Sequence, residues 1–450
     1  MLHSAITNPR TAVRLSRSTP FLGAGIAAGI VILLLFMFTL GLKALIATAL
    51  TLVAIGLLAY PEICLMLFLT AGTFKTEILS LLPAAPDPTA ILAVITCLAV
   101  VFRILPPAPY LARTAHRLLP GRLLLPYGLL LLVIIGSALS FTTSEYGRAK
   151  AFRFAALTTV ATFAPFYLLD TETRLRRFLM TAVGLGIAMT LFGVVTGEGL
   201  AAFGSTHIAT GRVIGLGLLA TLFFLFRDAR AAPHRWPIWA TLAGILLFGF
   251  LYAGSRGSLV SLVITGVVLV ITSLFLKRGW RTTAPGLVTI ALLLAVVATL
   301  KPEAIEVMNT RLAHVTSGPL GSSAGARIGL AKTALETFLA NPVIGVGIGG
   351  FDLIWSRSEM PRGSYPHNIF LELGSELGLV GIGAFGLLLF PTLVHTFRRL
   401  RGAPARGLAT PLLVCALLIY FLVNALFSGD LNDNRMLFSA IGLCARGNDN

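Results

Sequence analysis

Charge is scarce in this chain of 450 residues: only 12% are Asp, Glu, Lys or Arg, against 56% hydrophobic, and the mean hydropathy is +0.89. Soluble domains carry about 25% charged and about 45–50% apolar residues, so a soluble globular class is excluded. Cysteine is scarce too. Cys64, Cys97, Cys415 and Cys444 lie singly in apolar stretches, without paired spacing or a histidine at metal-ligand distance. That excludes a disulfide frame or a zinc site and leaves small buried hydrophobes. Acids are fewer than bases, 18 against 35, and nowhere cluster as a Mg²⁺ site would need, so no metal or other cofactor is expected. Also missing are the ~10-residue alternating segments of a membrane barrel, any internal repeat and any low-complexity block.

What is present is a succession of long apolar runs. They fall near 21–42, 44–60, 62–80, 88–106, 123–141, 150–169, 177–197, 211–226, 237–254, 257–276, 282–300, 368–396 and 408–428, with a short one at 436–445. A helix of ~20 apolar residues crosses ~30 Å of hydrocarbon, so the expected fold is an all-α polytopic membrane protein with about 12–14 transmembrane helices. The 62–80 run contains Lys75 and Glu77 and reads as partly re-entrant; 436–445 is too short to span upright. Arg10, Arg14 and Arg17 precede a first run too long for a signal peptide, which reads as a retained first helix. Residues 1–450 are expected to form a single integral membrane domain.

A net charge of +17 invites a nucleic-acid reading. Placement argues against it. With the N-terminus cytoplasmic, the clusters Arg113/Arg117/Arg122, Arg174/Arg176/Arg177, Arg227/Arg230/Arg235, Lys277/Arg278/Arg281 and Arg398/Arg399/Arg401/Arg406 all fall on the cytoplasmic side. Lys and Arg set orientation in this way, so the basic charge points to membrane topology and a membrane partner. The opposite side receives 81–87, 142–149, 198–210, 255–256, a long loop at 301–366, and 429–435. Arg148, Arg212, Arg256 and Arg327 lie there and are not explained by topology.

The long loop is the only extended polar interval. Residues 322–340 have a helical composition ended by Asn341-Pro342, with Ile328, Leu330, Leu335, Phe338 and Leu339 as an apolar side for protein or headgroup contact. A glycine cluster at 345–350 follows, then Tyr365-Pro366-His367-Asn368. Arg256 stands between two apolar runs in Gly254-Ser255-Arg256-Gly257-Ser258, where small neighbours allow another group to approach closely. Arg212 opens the 211–226 run. A snorkelling interface arginine is the plain alternative for either. Together, several guanidinium groups and a titratable His367 on one face suit an anionic leaving group: arginine forks bind diphosphate, and imidazole can take a proton from an acceptor hydroxyl. Glu372 and Glu376, one helical turn apart, could form an ion or proton site, pair with arginines, or orient His367. Asp430 and Asp433 read as loop residues.

The ordered set Gly254-Ser255-Arg256-Gly257, Arg327-Ile328-Gly329-Leu330-Ala331, Asn341-Pro342-Val343-Ile344-Gly345-Val346-Gly347 and Pro366-His367-Asn368-Ile369-Phe370-Leu371-Glu372-Leu373-Gly374-Ser375-Glu376 resembles the O-antigen ligase and polymerase superfamily over roughly 210–400. The resemblance implies metal-independent, inverting transfer of a glycan from undecaprenyl diphosphate. In the ligase branch the acceptor is lipid A-core; in the polymerase branch it is another lipid-linked repeat. The site would face the periplasm at the inner membrane. The family's essential arginines match Arg256 and Arg327 and its histidine matches His367, with Arg212 as a third basic position. Tyr365, Asn368 and Glu372 are further candidates for substrate binding. The alternatives are a protein O-oligosaccharyltransferase with the same donor, and a secondary transporter coupled through Glu372 and Glu376. A transporter predicts broken helices and repeat symmetry, neither visible in the sequence.

Overall fold

The computed structural model describes residues 42–81, 86–104, 121–141, 144–197, 202–275, 323–356, 364–404 and 407–446. The chain forms two compact units, Met1–Tyr60 and Pro61–Asn450. The first is described by helix α1 (Leu42–Ala59). The second runs through α2 (Pro61–Thr70), α3 (Lys75–Leu81), α4 (Pro88–Ile104), α5 (Gly121–Ser140), α6 (Glu145–Leu168), α7 (Glu172–Thr196), α8 (His207–Ala231), α9 (Trp236–Ala253) and α10 (Arg256–Phe275). It continues with α11 (Ser323–Ala340), α12 (Gly350–Ser356), α13 (Ile369–Gly402), α14 (Ala409–Phe427) and α15 (Arg435–Cys444). The described elements are all helical, one of the two ways, with the closed barrel, in which a backbone in hydrocarbon satisfies itself.

Eight helices among the described residues are long and apolar enough to cross a membrane: α5 to α10, α13 and α14. The expected count of about 12–14 is not reached there, for identifiable reasons. The runs 21–42, apart from Leu42, and 282–300 lie outside the described residues, as does the whole of 301–322 in the long loop. The 62–80 run is interrupted by a short turn at Ala71–Thr73 and does not form one span. Helices α4 and α15 are short, with 17 and 10 residues.

Charge separates the two ends of the larger unit. Arg227 pairs with Glu172 (2.6 Å), Arg174 with Asp170 (2.6 Å), Arg177 with Glu62 (3.0 Å) and Arg103 with Asp170 (3.6 Å). Arg122 meets His395, and the Arg446 guanidinium donates to the Asp170 carbonyl. The basic clusters at helix ends therefore gather at one end of the bundle. The N-termini of α8, α10 and α13 and the C-termini of α9 and α14 lie at the other.

A break absent from the sequence reading interrupts α13. Gly378 has φ +63° and ψ −156°, a conformation that L side chains avoid, and a Cβ there would lie 2.4 Å from Val343. Residues 341–349 fill the break. Leu379 N donates to Pro342 O (2.7 Å), Val380 N to Val343 O (3.1 Å), Val346 N to Ser375 O (3.0 Å) and Gly347 N to Glu376 O (2.8 Å). Backbone groups freed by the break are thus satisfied by the turn that follows α11. The glycine cluster is the reason the two backbones can touch: Gly345, at φ +66°, lies against the Glu376 carbonyl, and Gly349 lies against Gly147. The clasp fixes α11 against α13. Leu330 and Ala334 of α11 pack with Phe351, while Ile328, Leu335 and Leu339 of its expected apolar side are exposed.

Candidate active site

Three successive carbonyls at the end of α14 organise the charged end. Asn368 Nδ2 donates to Leu426 O (3.1 Å), Arg327 Nη1 to Phe427 O (3.3 Å) and Arg212 Nη2 to Ser428 O (2.5 Å). The last turn of a helix has carbonyls without intrahelical partners and carries the negative end of the macrodipole, so it draws guanidinium groups. One helix end thereby collects side chains from α8, α11 and the start of α13.

Each side chain is placed by local sequence. The α8 helix starts at His207, capped by Thr206, so Arg212 lies in its second turn and does not open it as the hydropathy run implies. Tyr420 OH donates to the carbonyls of Gly211 and Arg212 (3.4 Å each). Gly429, at φ +82°, lets the Arg212 guanidinium pass; a Cβ would stand 3.0 Å from Nη2. Arg256 opens α10, with Ser255 alone between it and the left-handed Gly254 that ends α9. The expected close approach is present there: a Cβ on Gly211 would lie 2.4 Å from Ser255 Cβ. Ser258 bonds Ser255 (3.1 Å) and Asn424 (3.2 Å), tying the start of α10 to α14.

His367 is a non-glycine residue with φ +58°. Strain of this kind costs of order 1–3 kcal/mol and persists only where surrounding contacts hold it. Here Pro366 precedes it and Asn368 follows as the N-cap of α13, its Oδ1 accepting from Phe370 N (2.9 Å) and Leu371 N (3.2 Å). The Tyr365 ring lies 4.4 Å from the imidazole, centre to centre. Burial, then Arg327 and Arg212, lower the His367 pKa from 6.5 to about 4. The imidazole is therefore neutral at pH 7 and can accept a proton. Arg327 has its pKa lowered by burial, then by Arg256 and Arg212, the electrostatic signature of like charges converging on one place. Burial and the acidic pair Asp433 and Asp430 raise the Tyr365 pKa, so its phenol stays protonated.

The structure thus brings Arg212, Arg256, Arg327, Tyr365, His367 and Asn368 to one end of the bundle. Glu372 is placed differently. It is 1% exposed, 2.6 Å from Lys150, and accepts from Leu431 N (3.0 Å); Glu376 lies 2.6 Å from the same lysine. Among the alternatives for the two acids, the observed one is ion pairing, with a lysine in place of an arginine. Sequence reasoning also passed over Arg435, whose guanidinium sits over Phe68 and donates to Asn432 O (3.1 Å). Its signal was available: it is another arginine on the side poor in positive charge. Asp430 is a loop residue as read, accepting from Asn432 N and Asp433 N. Among the described residues, no three His, Cys, Asp or Glu side chains come together as metal ligands would.

This arrangement can bind a multiply charged anion through three guanidinium groups beside a neutral base. Residues 241–386 match the family model described as O-antigen ligase. That stretch includes Arg256, Arg327 and His367, whereas Arg212 and the turn after α14 lie outside it. The match bears out the resemblance carried by the motifs and supports a ligase- or polymerase-type glycan transferase. None of the curated proteins compared with the chain gives a significant match.

Proposed function

We propose that this protein transfers a glycan from undecaprenyl diphosphate to a lipid A-core acceptor at the periplasmic face of the inner membrane, with the N-terminus cytoplasmic. The observation that carries the reading is the convergence of Arg212, Arg256 and Arg327 beside a neutral His367. Placement supports the sidedness: the paired arginines at the far end mark the cytoplasm by the positive-inside rule, leaving the site on the other face.

The diphosphate binds the arginines, which neutralise it and stabilise the charge it gains as its bond to the sugar breaks. The acceptor hydroxyl attacks the anomeric carbon from the opposite side. A new C–O bond forms, the bond to diphosphate breaks with its electron pair leaving on the phosphate oxygen, and the hydroxyl proton passes to His367. Configuration at the sugar carbon inverts. The anion also tunes the base: once it offsets Arg327 and Arg212, the positive field holding the imidazole pKa down is relieved, so His367 is a stronger base with substrate bound.

The test is transfer by purified protein in detergent or nanodiscs, with lipid-linked glycan as donor and lipid A-core or a second lipid-linked repeat as alternative acceptors. Attachment to lipid A-core is the expected result, and elongation of the repeat instead would assign the polymerase activity. His367→Ala and Arg256→Ala are expected to insert normally and lose transfer; normal transfer by either would sink the mechanism. The break at Gly378 is a feature that a transporter would also require. Here the clasp satisfies its backbone groups and Lys150 pairs both acids, which favours a fixed scaffold over an ion path.

A further inference from the structure

A cavity of about 420 Å³ opens beside His367, bounded by the turn after α2, the first turns of α8 and the segment 428–437. Arg212, Tyr365 and His367 line it, whereas Arg256 and Arg327 do not. Most of its lining comes from residues before 241 or after 386, outside the stretch that matches the ligase family model.

Three residues on its wall, Arg212, His367 and Arg435, carry buried polar atoms without a hydrogen-bond partner: Nε, Nδ1 and Nη1 respectively. Buried polar groups are ordinarily satisfied, so three unpaired atoms within one wall mark it as a polar environment, although none of the three has surface open to the space itself. Hydroxyls add to the wall at Thr73, Thr76 and Ser205, and Asp433 contributes a carboxylate. A carboxylate repels diphosphate but accepts from sugar hydroxyls, and an aromatic ring such as Tyr365 offers a face to a sugar ring. The volume falls within the ~300–1,000 Å³ of small-ligand sites, suited to a short saccharide and too small for a polyprenyl chain.

We propose that this cavity is the acceptor subsite, holding the terminal sugar of the acceptor so that one of its hydroxyls meets His367 while the donor diphosphate occupies the Arg256 and Arg327 side, with Arg212 at the boundary between the two. The inference rests on the transfer reading above. It assigns acceptor choice to the turn after α2, to α3 and to the segment 428–437.

Gly72 provides the test, because it lines the cavity and a Cβ there meets no atom within 4 Å. Gly72→Phe would fill space without displacing backbone; Thr76→Phe, from α3, does so independently. Purified full-length wild type and both variants, checked for monodisperse elution, would be assayed with undecaprenyl diphosphate-linked glycan and lipid A-core, varying each in turn. The expected result is an acceptor KM raised at least about ten-fold, the scale of steric discrimination in a pocket, with donor KM and inhibition by undecaprenyl diphosphate unchanged. A rise in donor KM alone, or no change in the correctly folded variants, overturns the subsite while leaving the transfer reading intact. Absence of transfer by the wild type overturns both.

Discussion

The ammonium of Lys150 stands 2.6 Å from the Glu372 carboxylate, and both side chains are 1% exposed. Glu376, 2% exposed, takes the same ammonium at 2.6 Å. Because the Glu372 oxygen also accepts from Leu431 N, this contact fastens α6 and α13 to the turn that holds Arg212. Removing the lysine strands two acids away from water.

Lys150→Met is therefore expected to destabilise the protein by about 3–5 kcal/mol, the usual cost of leaving one side of a buried ion pair. Adding Glu372→Gln and Glu376→Gln should recover much of that loss. Thermal unfolding in detergent measures both; an unaltered midpoint in Lys150→Met would show that the cluster does not hold the fold.

The arginines should grade by chemistry. Arg256→Ala is expected to lower turnover about 10²–10³-fold, typical of losing one preorganised electrostatic donor. Arg327→Lys keeps the charge and loses the planar fork, so its defect should be smaller than that of Arg327→Ala. Steady-state rates at saturating donor decide, and equal rates for the two Arg327 variants would remove the case for bidentate binding.

The sequence made these positions visible for a physical reason. Arg256, Arg327 and His367 are costly groups on the side where the positive-inside rule explains no charge. Lys150 was hidden, because hydropathy sees an isolated lysine near the start of an apolar run and not the acids that neutralise it from α13. Glu372 and Glu376 were legible as a pair without their partner. Likewise, Gly378 sits in an apolar run with no local stop signal; its positive φ comes from the 341–349 segment docking against it, a tertiary effect. The run at 62–80 was legible as an irregular span from Lys75 and Glu77, but a hydropathy window averages across the turn at Ala71–Thr73 and does not show where it breaks.

Acid should affect His367 at an unusual pH. With its pKa at about 4 against 6.5 for the ordinary side chain, kcat/KM, which reports the free enzyme, should lose activity only as pH falls toward 4. The acid limb of kcat should lie higher, since bound diphosphate offsets the arginines. The same shift affects stability: the unfolded chain takes up the proton first, so this contribution is complete above about 6.5 and is lost as pH falls toward 4. Rate profiles of wild type and His367→Gln would show it, and an acid limb in kcat/KM at 6.5 would contradict the assigned environment.

Gly378→Ala should open the clasp. Its φ of +63° and the 2.4 Å approach to Val343 leave no place for a methyl group, and left-handed strain alone costs about 1–3 kcal/mol. Gly383→Ala, where a Cβ meets nothing within 4 Å, is the neutral control in the same helix. Unfolding midpoints compare them, and equal midpoints would mean that the break is dispensable.

The clasp also bears on how the protein is made. A span that yields backbone hydrogen bonds to another segment is incomplete by itself at the moment it leaves the ribosome. Residues 341–349 emerge before the second half of α13, and so does Ser137, whose hydroxyl accepts from Ile348 N (2.9 Å). The partner is therefore already synthesised when Gly378 arrives, so the bonds from Leu379 N to Pro342 O and from Val380 N to Val343 O can form as soon as the second half of α13 is made. The order of the chain thus matches the order in which the broken span needs its partner.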